Sequence, residues 1–143
     1  MKLRIVIDKD KEEQILIYSH EKTPLIESIE RLVEDNSPKL MGYSEKGATM
    51  LYPDEIYCFI SENGKTYALT EKEKLVIKSR LYVIEGSLDD GFVRLNQSCI
   101  ANISKIRRFE ANIYGSLTVV FKNGYKDYVS RRQVKTVKER LGI

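Results

Sequence analysis

Two Asn-Gly dipeptides, Asn63-Gly64 and Asn123-Gly124, constrain this chain more than any other feature in it. Asn-Gly accepts the positive φ angles of a two-residue hairpin loop, whose twist matches that of the strands it joins. The apolar-rich runs flanking each pair, 56–61 with 66–70 and 117–121 with 125–129, therefore read as hairpin arms. Similar short runs lie at 49–52, 75–77 and 103–109. Ser79 is placed to cap a short helix with an apolar stripe of Leu81, Ile84 and Leu88, ended by Asp89-Asp90-Gly91. Ser130 is placed to cap a last helix that turns Val134, Val137 and Leu141 inward, with Gly142 just past its end. Residues 41–143 thus predict a mainly β domain with a few helices (α+β), built as a small antiparallel sandwich or barrel.

Residues 1–40 read differently. Residues 2–7 alternate, with Leu3, Ile5 and Ile7 on one face, which predicts a strand; beyond the charged turn Asp8-Lys9-Asp10-Lys11, residues 14–19 (Gln-Ile-Leu-Ile-Tyr-Ser) are read as its hairpin partner. Thr23 as N-cap and Pro24 at the first helical position open a helix with Leu25, Ile26, Ile29, Leu32 and Val33 on one face. Asn36-Ser37-Pro38 stops it. A β-β-α unit of about forty residues cannot bury enough surface to stand alone. It needs the remainder of the chain or a second copy, and it is assigned here as an extension for dimerisation or regulation.

Several function classes are excluded. No apolar run reaches the 18 residues of a membrane span, and Met1-Lys2-Leu3-Arg4 leads into an alternating segment rather than a signal peptide, so a cytoplasmic protein is expected. Cys58 and Cys99 sit in apolar contexts and are read as buried small hydrophobes; with the single His20 they make neither a disulfide framework nor a zinc site. No Ser-His-Asp set, phosphate loop or dinucleotide fingerprint is present. No catalytic residue, metal or cofactor is expected, and the protein is not read as an enzyme.

Charge is unevenly placed. The net +3 divides into −2 over residues 1–40 and +5 over residues 41–143. Between Arg94 and Arg140, eleven bases face three acids. Such asymmetry points to an anionic partner for the C-terminal half. Three stretches offer polar groups to it. Residues 92–102 carry Arg94, Asn96, Gln97, Ser98 and Asn102 between apolar anchors, with no acid between Asp90 and Glu110; donors, acceptors and positive charge on an anchored backbone suit base edges between phosphates. Ser130-Arg131-Arg132 places two guanidinium groups where a helix N-terminus already attracts anions. The Asn63-Gly64-Lys65-Thr66 tip is small, polar and basic.

These stretches carry a resemblance. Phe92-x-Arg94-x-x-x-Ser98-x-Ile100-x-Asn102-x-x-x-Ile106, followed by a strand, Asn123-Gly124, a strand and Val129-Ser130-Arg131-Arg132, is similar to the LytTR-type bacterial DNA-binding domain over about residues 41–143. Glu55-Ile56-Tyr57-Cys58-Phe59 resembles that family's first strand. Asn96 stands where the family often has His, and Ile60 where an acid commonly ends the first strand. The resemblance implies small antiparallel sheets that insert loops, rather than a recognition helix, into successive major grooves of double-stranded DNA. It further implies a transcriptional regulator acting as a homodimer on paired direct repeats. Residues 1–40 are too short for a receiver domain, so the chain resembles the receiver-less members of the family, often controlled by a membrane-protein partner. Carried over by position, Arg132, Gln97 and the tip Asn63, Lys65 and Thr66 are expected at bases; Arg94, Asn96, Ser98, Lys105 and Arg131 are expected at phosphates; Asn102 is expected to tie its own turn. The competing reading is a protein-interaction module whose basic face meets an acidic protein.

Overall fold

The structure is a computed structural model that describes residues 1–33 and 40–143. It divides into two units, Met1–Asp35 and Asn36–Ile143.

In the first unit, helix α1 spans Pro24–Val33. Thr23 starts it as expected: its Oγ1 accepts from the Ile26 N–H at 3.3 Å and its carbonyl from Glu27 N–H at 3.1 Å. Only Ile26 of its apolar face is buried; Leu25, Leu32 and Val33 stand exposed. The expected stop at Asn36-Ser37-Pro38 lies outside the described residues. The two strands expected at 2–7 and 14–19 are a correction, since both segments are assigned no strand. The charged turn between them does form, with Lys11 N–H donating to the Asp8 carbonyl at 3.4 Å and Asp10 N–H to Asp8 Oδ1 at 3.0 Å. A lone two-stranded hairpin is marginal in water, and Leu3, Ile5 and Ile7 are all exposed.

Among its described residues the second unit holds ten strands: β1 Leu40–Ser44, β2 Gly47–Leu51, β3 Cys58–Glu62, β4 Lys65–Leu69, β5 Lys74–Ile77, β6 Phe92–Asn96, β7 Cys99–Asn102, β8 Ile106–Ala111, β9 Leu117–Phe121 and β10 Lys126–Val129. Helix α2, Leu81–Ser87, interrupts them and α3, Val134–Leu141, follows. A seven-stranded sheet runs β2-β1-β5-β4-β3-β7-β6 and a three-stranded sheet runs β10-β9-β8. Every pairing is antiparallel, so the mainly β expectation holds. The central strands are buried on both faces, and successive residues serve different cores. Cys58, Ile60, Leu95, Cys99 and Ala101 pack with Val119, Phe121 and Val137 from the small sheet and α3. Phe59, Phe92 and Ile100 point the other way, onto Leu81 and Ile84 of α2. Among the described residues no helix is long and apolar enough to cross a membrane.

Several boundaries differ from those expected. Strand β1 went unanticipated because Gly42 breaks its apolar pattern. The glycine is there for room: a Cβ on it would lie 2.8 Å from both Leu51 Cδ1 and Leu75 Cβ. Residues 103–105 form a 3-10 turn rather than the start of β8, capped by the Asn102 side chain on Ser104 N–H. Helix α2 is flanked by Arg80 rather than capped by Ser79. Ser130 does not cap α3 either. Its carbonyl accepts from Gln133 N–H at 2.9 Å and Val134 N–H at 3.1 Å, closing a turn over residues 130–133 before the helix begins. Arg131 and Arg132 therefore sit in that turn, just ahead of α3, rather than in the helix's first turn. Gly142 ends α3 in the left-handed region at φ 71°, as its position predicts.

Candidate nucleic-acid interface

Three separate segments meet at one end of the large sheet. Strand β3 runs beside β7 with Ile60 opposite Cys99, and Ser61 N–H continues the ladder to the Ser98 carbonyl at 2.9 Å. The β3–β4 tip therefore projects beside the β6–β7 turn. At the tip Asn63 takes φ 53° and Gly64 φ 77°, the paired positive angles that Asn-Gly supplies. Ser130 N–H donates to the Leu95 carbonyl at 2.9 Å, which docks the 130–133 turn against β6. That carbonyl is free because the β6–β7 register slips between Arg94 and Asn96, leaving Leu95 in a bulge.

The ten expected site residues separate into two groups. Asn63, Lys65, Gln97, Ser98, Arg131 and Arg132 are exposed, and among the described residues none has a side-chain hydrogen bond or ion pair. All six lie on the three segments that share this end. The other four are corrections in geometry. Thr66 is buried within β4. Lys105 lies at the opposite end of the sheet, its Nζ 5.2 Å from the Tyr57 ring. Arg94 straps the turn from beneath: its Nε donates to the Asn96 carbonyl at 2.8 Å, one Nη to the Gln97 carbonyl at 2.7 Å, and the other to Glu85 Oε2 at 2.8 Å. Asn96 is 2% exposed and cannot be presented outward. Its Nδ2 donates to Asp127 Oδ1 at 2.9 Å and to the Tyr128 carbonyl at 2.8 Å, while its Oδ1 accepts from Ser98 N–H at 2.7 Å. A buried amide persists where all its hydrogen bonds are made.

Asp127 is the support that sequence reasoning missed. Besides Asn96, its carboxylate accepts from Tyr128 N–H at 2.9 Å and from the Tyr125 hydroxyl at 2.8 Å. Burial, with the hydrogen bond to this carboxylate, pushes the Tyr125 phenol well above its usual range. A hydrogen bond with Cys58, with burial, likewise raises the Cys99 thiol. Both cysteines are free and fully buried. The available signal was composition: Asp127 is the only acid between Glu110 and Glu139 in an otherwise basic stretch. At the far end of β7, Asn102 ties its turn as expected. Its Nδ2 reaches the carbonyls of Ile56 at 2.8 Å and Pro53 at 3.3 Å, and its Oδ1 accepts from Ser104 N–H and Oγ.

The LytTr DNA-binding domain model matches residues 46–142. The chain belongs to the LytTR DNA-binding domain family. The matched span takes in β2 through α3, and with them all three segments of this LytTR domain's shared end. The fold agrees: the LytTr DNA-binding domain of a putative methyl-accepting/DNA response regulator from Bacillus cereus superposes with a TM-score of 0.69 at 21% identity, covering 73% of this chain and 97% of that one. Relatives are full-length. An uncharacterized HTH-type transcriptional regulator of Staphylococcus aureus strain MSSA476 is 32% identical over 100% of this chain and 99% of its own. Another from strain NCTC 8325 is 30% identical over the same shares. The helix-turn-helix of those names has no counterpart among the described residues of this chain, where five strands separate α2 from α3.

Proposed function

We propose that this LytTR protein is a cytoplasmic, sequence-specific double-stranded DNA-binding transcriptional regulator that reads major-groove edges with two loops and a turn. One observation carries the reading: six unpartnered polar or cationic side chains from three segments share one end of a domain whose family binds DNA. The distribution of roles follows from reach and chemistry. Arg132 suits guanine, whose O6 and N7 accept a guanidinium fork, and Gln97 suits adenine. Asn63 and Lys65 project on the hairpin tip, and Ser98 and Arg131 suit phosphates that set register. Arg94, Asn96 and Asp127 hold the β6–β7 turn and the 130–133 turn in fixed relation, which keeps the contacting groups preorganised. Two copies on paired direct repeats double the length of sequence read.

Competition at two salt concentrations tests this. The full chain, bound to a labelled duplex at low salt, should be displaced by random duplex, and its affinity should fall steeply as salt rises because phosphate contacts release counterions. Failure to bind duplex at low salt overturns the proposal and leaves an acidic protein as the partner of the basic face.

A further inference from the structure

The first unit leaves apolar side chains exposed and backbone groups without hydrogen bonds among the described residues. Residues 2–7 carry apolar side chains at Leu3, Ile5 and Ile7, and residues 14–19 carry a run of them from Ile15 to Tyr18, yet neither segment is assigned a strand and they form no ladder with each other. Among the described residues, the one backbone–backbone hydrogen bond in the first twenty residues is that of the Asp8–Lys11 turn. Two rows of backbone donors and acceptors are thus left open, a template for strand addition. The side chains beside them are equally uncovered: Leu3 is 87% exposed, Ile5 77%, Ile7 90% and Leu16 67%. On α1, Leu32 is 84% exposed. Ile26 is buried and Ile17 and Ile29 are half-buried, and Ile17 and Ile26 line a shallow groove with Ile15 and Ser19.

We infer that residues 1–33 form a homodimerisation module, in which a second copy of this chain completes the sheet begun by 2–7 and 14–19 and covers its apolar face. The inference rests on the reading of paired copies on DNA and says where the pairing is made. Charge selects the occupant. Residues 1–33 hold six bases and seven acids, so they favour neither an acidic partner nor an anionic membrane surface. Both signs occur on each copy, and two copies can meet without strong like-charge repulsion. Area agrees as well. About ten large apolar side chains giving up on the order of 80 Å² each reach roughly the 800 Å² per partner that stable interfaces bury.

Sedimentation of the full chain without DNA tests the inference. The wild type should sediment as a dimer at micromolar concentration. Ile5→Glu combined with Leu16→Glu should give a monomer. Ile5→Pro, which keeps apolar surface but removes a ladder N–H, should also give a monomer. Ile113→Glu, an equally exposed apolar position in the other unit, should remain dimeric. In the same samples the monomeric variants should retain binding to a single half-site and lose about tenfold or more on a two-repeat duplex. A monomeric wild type, or a dimer that survives either the double glutamate or the proline substitution, overturns the inference. Loss of half-site binding by the wild type itself would instead overturn the DNA-binding proposal, so the two failures are distinguishable.

Discussion

Replacing Asn96 with alanine separates support from contact. The amide is buried and makes three hydrogen bonds, to Asp127, to the Tyr128 carbonyl and from Ser98 N–H. A neutral hydrogen bond is worth about 0.5–1.5 kcal/mol net and one to a charged group about 1.5–3. Simple addition overshoots, because Ser98 is exposed and Asp127 half-buried, so water can reach both once the side chain is gone. The Tyr128 carbonyl and the vacated space remain as losses. Asn96→Ala should therefore lower stability by about 2–4 kcal/mol. Urea unfolding followed by circular dichroism should show a lower midpoint with unchanged slope. Duplex affinity, measured on the folded fraction across a salt series, should keep its log–log slope, since no phosphate contact is removed. The reasoning is refuted by the opposite pair of results: stability within about 0.5 kcal/mol of wild type and a salt slope flatter by about 1. That outcome would place Asn96 on the DNA.

The other predictions address different links. Arg132→Ala should cost about 1–3 kcal/mol on the preferred site and little on random duplex, whereas Arg131→Ala should weaken all sequences and flatten the salt slope by about 1; anisotropy titrations on both duplexes distinguish them. Gly42→Ala should destabilise the domain by about 1–3 kcal/mol through overpacking against Leu51 and Leu75, read from thermal melts. The raised Tyr125 phenol gives a pH signature. Its native form holds a proton that the unfolded chain releases near its ordinary value, so stability is full below about pH 10 and falls as pH rises beyond it. Tyr125→Phe should shallow the alkaline decline in urea midpoint, and an unchanged decline would count against the buried Asp127 contact.

The main domain was legible because its signals are local. Asn63-Gly64 and Asn123-Gly124 dictate hairpins through backbone angles alone, and the alternating arms beside them found β3, β4 and β9 to within a residue or two. Strand β1 was hidden because the reason for Gly42 is a tertiary close approach, which no window of sequence displays. The site was half legible for the same cause. Residue type and charge picked out three segments that the fold brings to one end, where Gln97, Ser98, Arg131 and Arg132 stand exposed. Type alone did not reveal that Arg94 and Asn96 spend their donors on carbonyls and on Asp127, thirty-one residues from Asn96. The extension failed differently. The strand expectation at 2–7 and 14–19 rested on local apolar patterning, and among the described residues these segments form no ladder with each other.

Selection of binding sites by the full chain from a random duplex pool tests the central claim most directly. The account predicts enrichment of one short motif, present twice in the same orientation at a spacing near the helical repeat of about 10–10.5 base pairs. Repeating the selection with Arg132→Ala should relax one or two positions of that motif while the spacing stays. A pool that shows no enriched motif, with binding that depends on salt alone, would contradict it.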